Sequence, residues 1–137
     1  MDYEQLRIKT YSLWDLFLHE HQFPYIGRCY ASAKREDARS VRDMRKDERD
    51  ELFDIVVPEW DTAIKVLFAH TKANFASLGN TGNHLHWHLI PRYRESKLLF
   101  GIEFIDPDPL GNYSSYPKRN IPLETLLHIK ELIQARL

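Results

Sequence analysis

The sequence has 137 residues, enough for one domain with a sizeable core. Hydrophobic residues make up 43% and charged residues 28%, the balance of an ordinary globular chain. With 19 Lys+Arg against 20 Asp+Glu and a formal net charge of -1, the chain lacks the positive excess needed to grip a nucleic acid polymer.

The single cysteine, Cys29, rules out an intramolecular disulfide and a cysteine-based zinc cluster, and fits a reducing cytoplasm. The opening "MDYEQLRIKT" is polar and has no signal-peptide core, and no apolar run is long enough to cross a bilayer. With no repeat or linker-like tract, residues 1–137 read as one domain of a soluble, cytoplasmic protein without membrane contact.

In chain order, "SLWDLFLH" (Ser12 to His19) and "YIGRCYASAK" (Tyr25 to Lys34) are strand-like, joined across "EHQFP" as a hairpin. The charge-dense run that follows leads into a helix. From about Lys46, Leu52, Phe53, Val56, Trp60, Ile64, Leu67 and Phe68 recur at three- and four-residue spacing, predicting a long amphipathic helix to about Thr71. Pro58 should kink or split it.

Asn74 to Leu78 reads as a short strand, "GNTGN" as a turn, and "HLHWHLIPRY" as a strand of strict alternation. "LLFGIEFID" reads as one more edge strand or an extension, and "PDPLGNYSSYPKRN" as loop. Pro122 then opens a closing helix with an apolar face of Leu126, Ile129, Ile133 and Leu137. Adjacent strands on short turns with helices alongside predict an α+β domain with an antiparallel sheet, a long central helix and a C-terminal helix.

The feature needing explanation is "HLHWHLI". On a strand, His84, His86 and His88 share one face while Leu85, Trp87 and Leu89 fill the other and pack the core. Three readings compete. As a metal site, two neighbouring imidazoles could chelate zinc with a third ligand such as His19 or His21, but a rise of about 3.3 Å per residue spreads the outer two too far for one tetrahedral centre. As an accident of surface polarity, the regular triple is improbable. As a nucleophilic site the spacing works best: a central imidazole attacks phosphorus, one neighbour orients it, and the other contacts the departing oxygen. The upstream turn offers backbone and amide donors to phosphate oxygens.

The motif "HLHWHLI" followed by "PRY", together with "WDLFLHEHQFPYIGRCYASAKR" and "NFASLGNTGNHLHWHLIPRY" in that order, resembles the histidine-triad superfamily, in its diadenosine-polyphosphate-hydrolase-like branch. The resemblance covers roughly residues 12–95, leaving a C-terminal loop and helix over 96–137. It implies a sheet of five antiparallel strands with two helices, and a homodimer. It also implies a nucleotide hydrolase acting on a phosphoanhydride or phosphoramidate, in which His86 attacks the α-phosphate and forms a nucleotidyl-histidine intermediate. His88 would contact the phosphate and leaving oxygen, and His84 would orient the site. Asn74, Asn80 and Thr81 are the implied phosphate contacts, and Glu20 the implied ribose contact. No catalytic metal is implied as obligatory; a divalent cation would only assist substrate binding. The alternatives are a nucleotidyltransferase that uses the same intermediate and a nucleotide-binding module of low turnover.

Two positions depart from the pattern. Lys34-Arg35-Glu36 stands where many members have Lys-Arg-His, and the long helix lacks the usual Ser or Thr cap, leaving Asp43 to cap or Arg45 uncapped. His19 and His21 read as loop histidines near the site. Cys29, Trp14, Trp60 and Trp87 read as core residues.

Overall fold

Five antiparallel strands form the main sheet in a computed structural model that describes residues 1–114 and 119–137. They are β1 (Arg7–Thr10), β2 (Trp14–Leu18), β3 (Cys29–Ala33), β4 (Lys72–Ala76) and β5 (His86–Arg92), in the spatial order β1-β2-β3-β5-β4. Between β3 and β4 run α1 (Lys46–Glu51), a π-type stretch (Leu52–Val56) and α2 (Val57–Phe68). A separate hairpin, β6 (Lys97–Leu99) and β7 (Ile102–Phe104), and a last helix, α3 (Leu123–Gln134), complete the α+β architecture.

Cross-strand partners share a face of the sheet, so the register sorts the residues. Leu16 faces Ala31, which faces Trp87; Leu18 faces Cys29, which faces Leu89, which faces Phe75. This is the apolar side. Leu52, Val56, Trp60, Ile64 and Phe68 join its residues in one buried cluster. Trp14 and Trp60 are fully buried, and each indole N–H finds a backbone carbonyl, of Glu48 and Gly27 respectively. Gly27 has φ +95 and lies so close to α2 that a Cβ there would sit 2.9 Å from Ile64 Cδ1, so only glycine turns the chain here without strain.

The opposite side carries Phe17 beside Tyr30 beside His88 beside Ala76, and one row over, Asp15 beside Ser32 beside His86. The sheet therefore separates the core from the chemistry.

Several expected elements differ in detail. The polar N-terminal decamer, to which the sequence reading assigned no element, supplies β1. Gln134 of α3 donates to the Arg7 and Ile8 carbonyls, and Leu6 and Ile8 are buried, so helix contacts that a local pattern does not reveal hold this strand. Residues 97–105 are not an edge of the main sheet; Phe100 and Gly101, both at positive φ, fold them back into their own hairpin. The second strand begins at Cys29 rather than Tyr25, and β4 spans Lys72–Ala76 rather than Asn74 to Leu78.

The long helix divides as expected. Pro58, without an N–H, lies in the first turn of α2, just after the widened π-type turn. It ends at Phe68, before Ala69 in the left-handed conformation, rather than at Thr71. Arg45 is indeed the N-cap of α1 without a side-chain cap of its own; Glu48 reaches back to accept its N–H, while Asp43 accepts the N–H groups of Arg39 and Ser40 one turn earlier. Pro122 is the N-cap of α3, whose Leu126, Ile129 and Ile133 are buried. Of the expected loop 107–120, residues 115–118 lie outside the described residues.

Candidate active site

β5 delivers His86 and His88 to the same side of the sheet, two residues apart, with ring centroids 5.1 Å apart. His84 lies before the strand begins, so the three are not collinear as alternation alone suggests. Its Nε2–H donates to the Ala33 carbonyl at 2.6 Å, and its own carbonyl accepts from His86 Nδ1 at 2.7 Å. A carbonyl can only accept, so the proton of neutral His86 is held on Nδ1 and the lone pair is left on Nε2. Ser77 Oγ donates to the His86 carbonyl and ties the strand to the residue after β4.

His86 and His88 line a cleft of about 440 Å³ together with His19, Glu20, His21, Arg28, Tyr30, Thr81 and Tyr113. Its floor is the polar side of the sheet. One wall is the connection between β2 and β3, and the buried Gln22 staples that connection: it donates to the carbonyls of His19 and Arg28 and accepts from Gly27 N–H. His19 Nδ1 accepts from His21 N–H, and the His19 ring lies 5.7 Å from His88. Glu20 accepts from Tyr3 Oη at 3.1 Å and lies 3.4 Å from His21 Nε2.

Arg28 Nη2 lies 2.9 Å from Tyr113 Oη and 3.5 Å from His88 Nδ1. Guanidinium is always a donor, so His88 Nδ1 carries a lone pair and Nε2 the proton. Burial first, then the charge of Arg28 and the neighbouring His86, hold the His88 imidazole down at about 4. At neutral pH His88 is thus a neutral N–H donor.

Among the residues singled out from sequence, His86, His88, Glu20 and Thr81 share this cleft. His84 supports His86 from behind. Asn74 lies on the same side of the sheet but lines the adjacent depression, where its Oδ1 accepts from Arg92 Nη1 at 2.8 Å. Asn80 is exposed and lines neither. Arg35, next to the Glu36 that departs from the histidine-triad pattern, is engaged in an ion-pair network with Glu48 and Asp37. Sequence reading missed Arg28, Tyr113 and Tyr30. The signal for Arg28 was a lone cation in the apolar run "YIGRCYA"; Tyr113 carried none, since only the tertiary fold returns its loop to the cleft.

Among the described residues, no group of three or more His, Cys, Asp or Glu is placed to hold a metal ion, and no helix is long and apolar enough to cross a membrane. Cys29 is fully buried, and burial pushes its thiol up.

No protein-family model matches the sequence, and no curated protein matches it. Solved structures do. A histidine triad protein from Sinorhizobium meliloti superposes with a TM-score of 0.73 at 20% identity, over 96% of this chain and 89% of its own. One from Marinobacter aquaeolei gives 0.72 at 21%, over 100% and 95%. The diadenosine triphosphate hydrolase of Plasmodium falciparum, solved with cyclomarin A, gives 0.61 at 14%, over 96% and 76%. The chain has the fold of these histidine-triad proteins.

Proposed function

We propose that this chain of histidine-triad fold is a nucleotide hydrolase that works through a covalent nucleotidyl-histidine intermediate on His86. The observation that carries this reading is the hydrogen bond from His86 Nδ1 to the His84 carbonyl, which leaves the Nε2 lone pair as nucleophile in a cleft of about 440 Å³ that also holds Arg28 and His88. Nε2 attacks the α-phosphorus of a nucleoside phosphoanhydride or phosphoramidate. The N–P bond forms, the bond to the leaving group breaks, and the electron pair leaves with that group. Water then attacks phosphorus, the N–P bond breaks, and a nucleoside monophosphate is released.

His88 Nε2–H and the Thr81 region would hold phosphate oxygens, and Glu20, already accepting from Tyr3, the ribose hydroxyls. A divalent cation would help only by screening substrate charge. We place the protein in the cytoplasm, where a lone buried thiol is unremarkable, and as a homodimer paired through β4. That strand is the open edge of the sheet, with Phe75 41% exposed, whereas side chains of α3 cap the carbonyls along β1.

The test is AMP release from a diadenosine polyphosphate, with and without chelator. Activity should survive chelation, and His86→Ala should lower kcat by at least about 1000-fold, with a radiolabelled adenylyl adduct trapped on alkaline denaturing quench of the wild type only. Activity retained by the variant would remove His86 from the chemistry. Label passing from the adduct to added phosphate rather than water would make the protein a nucleotidyltransferase, and an adduct without turnover a binding module.

A further inference from the structure

Resting on the hydrolase reading above, we propose that Arg28, positioned by Tyr113, is the seat of the departing phosphate, and that the site is built for phosphoanhydrides rather than phosphoramidates. Arg28 lies at the mouth of β3 in the cleft that holds His86 and His88. Among the described residues it has no carboxylate partner. Its neighbours are a phenol and an imidazole, its Cζ lies 5.2 Å from the centre of the Tyr113 ring, and its Nε is buried with no hydrogen-bond partner among the described residues. Burial lowers its pKa, the mark of a guanidinium held without a compensating anion. The buried Arg92 shows the contrast: it is paired with Asp106 and has all five N–H groups engaged. A cation without a carboxylate beside a nucleophile, with Nη1 engaged by none of the described residues, suits a phosphate oxygen.

The position of Arg28 sets which leaving groups can depart. When the P–O bond of a phosphoanhydride breaks, the electron pair stays on a terminal phosphate whose second ionisation lies near about 6. It leaves as an anion, needs no proton, and is met by Arg28. When a P–N bond breaks, the departing amine must collect a proton, because a free amide anion is inaccessible in water and an alkylamine holds its proton to about 10. His88, whose ring Arg28 touches in the cleft, is neutral in this site and kept so partly by the charge of Arg28. The same guanidinium that welcomes an anion therefore disfavours the acid that an amine would need.

The experiment compares diadenosine tetraphosphate with adenosine 5′-phosphoramidate on wild type, Arg28→Gln, Arg28→Lys and Tyr113→Phe. It is run beside calorimetric titration of pyrophosphate into each, with thermal melts to confirm folding. The expected result is higher wild-type kcat/KM on the dinucleotide. Arg28→Gln should lose about 100-fold on it but at most about threefold on the phosphoramidate, with the Lys and Phe variants between. Equal losses on both substrates, or a wild type that prefers the phosphoramidate, overturn the proposal. If the wild type cleaves neither, the hydrolase reading fails, and the titration decides Arg28 by itself. Pyrophosphate binding that Arg28→Gln abolishes upholds the anion seat, while unchanged binding, or none to the wild type, removes it. Because Arg28→Gln deletes an unpaired charge, its melting temperature should equal or exceed that of the wild type.

Discussion

At the scale of single residues, two imidazoles two positions apart are given opposite tasks by what their Nδ1 atoms meet. His86 Nδ1 meets a carbonyl and must carry the proton; His88 Nδ1 meets a guanidinium and cannot. The first becomes a nucleophile at Nε2, the second an N–H donor at Nε2. The depressed His88 value also ties stability to pH. A histidine that ordinarily titrates near 6.5 and is held at about 4 in the fold binds its proton in the unfolded chain first. Between those values the unfolded state carries more protons, so stability falls as pH drops from 6.5 toward 4 and is intact above 6.5. His88→Gln should lose less Tm than wild type over that interval in a melt series from pH 7.5 to 4. Parallel curves would mean that the imidazole is not so perturbed.

Among the elements, the loop after β7 is held by one side chain of β5. Arg92 donates from Nε and Nη2 to the buried Asp106 carboxylate, from Nη2 to the Asp108 carbonyl, and from Nη1 to Asn74 Oδ1 and the Gly111 carbonyl. Its guanidinium lies 5.3 Å from the Tyr25 ring, and Tyr25 lies 5.6 Å from Tyr113, so the clamp continues to the residue that positions Arg28. Arg92→Met leaves Asp106 charged, buried and unpaired. It should cost about 3–5 kcal/mol in urea unfolding, and limited proteolysis should open the segment after Asp106. A variant with wild-type stability would show that the loop is held by other contacts.

For the whole molecule, among the described residues, α3 covers the β1 edge of the sheet and no strand pairs beyond β4. The homodimer we propose would pair two β4 strands into a continuous sheet, burying Phe75. Sedimentation equilibrium should find a dimer at micromolar concentration, and Phe75→Glu should shift it toward monomer by placing like charges across the junction. A monomeric wild type would dismiss the dimer without touching the chemistry of the cleft, since every contact described there lies within one chain.

Some of this protein was readable in its residues alone because it is written in local periodicity. The 3.6-residue spacing from Leu52 to Phe68 predicted the split helix around Pro58. The alternation at His84 to Leu89 predicted a strand with a core side and a polar side, and the triad with its flanks carried the likeness to histidine-triad proteins. What depends on partners distant in sequence was not readable. The strand Arg7–Thr10 is a strand because α3, over a hundred residues later, covers its carbonyls. Asn74 sits with Arg92 rather than in the cleft because the β4–β5 register sets it opposite Ile90, two residues from that arginine. Arg28 meets His88 through sheet register, and Tyr113 through the Arg92 clamp, neither of which has any local signature. Pattern reports which side of an element a residue takes; only the packed chain decides what it meets there, because hydrogen bonds and ion pairs form between atoms that tertiary structure brings within about 3 Å.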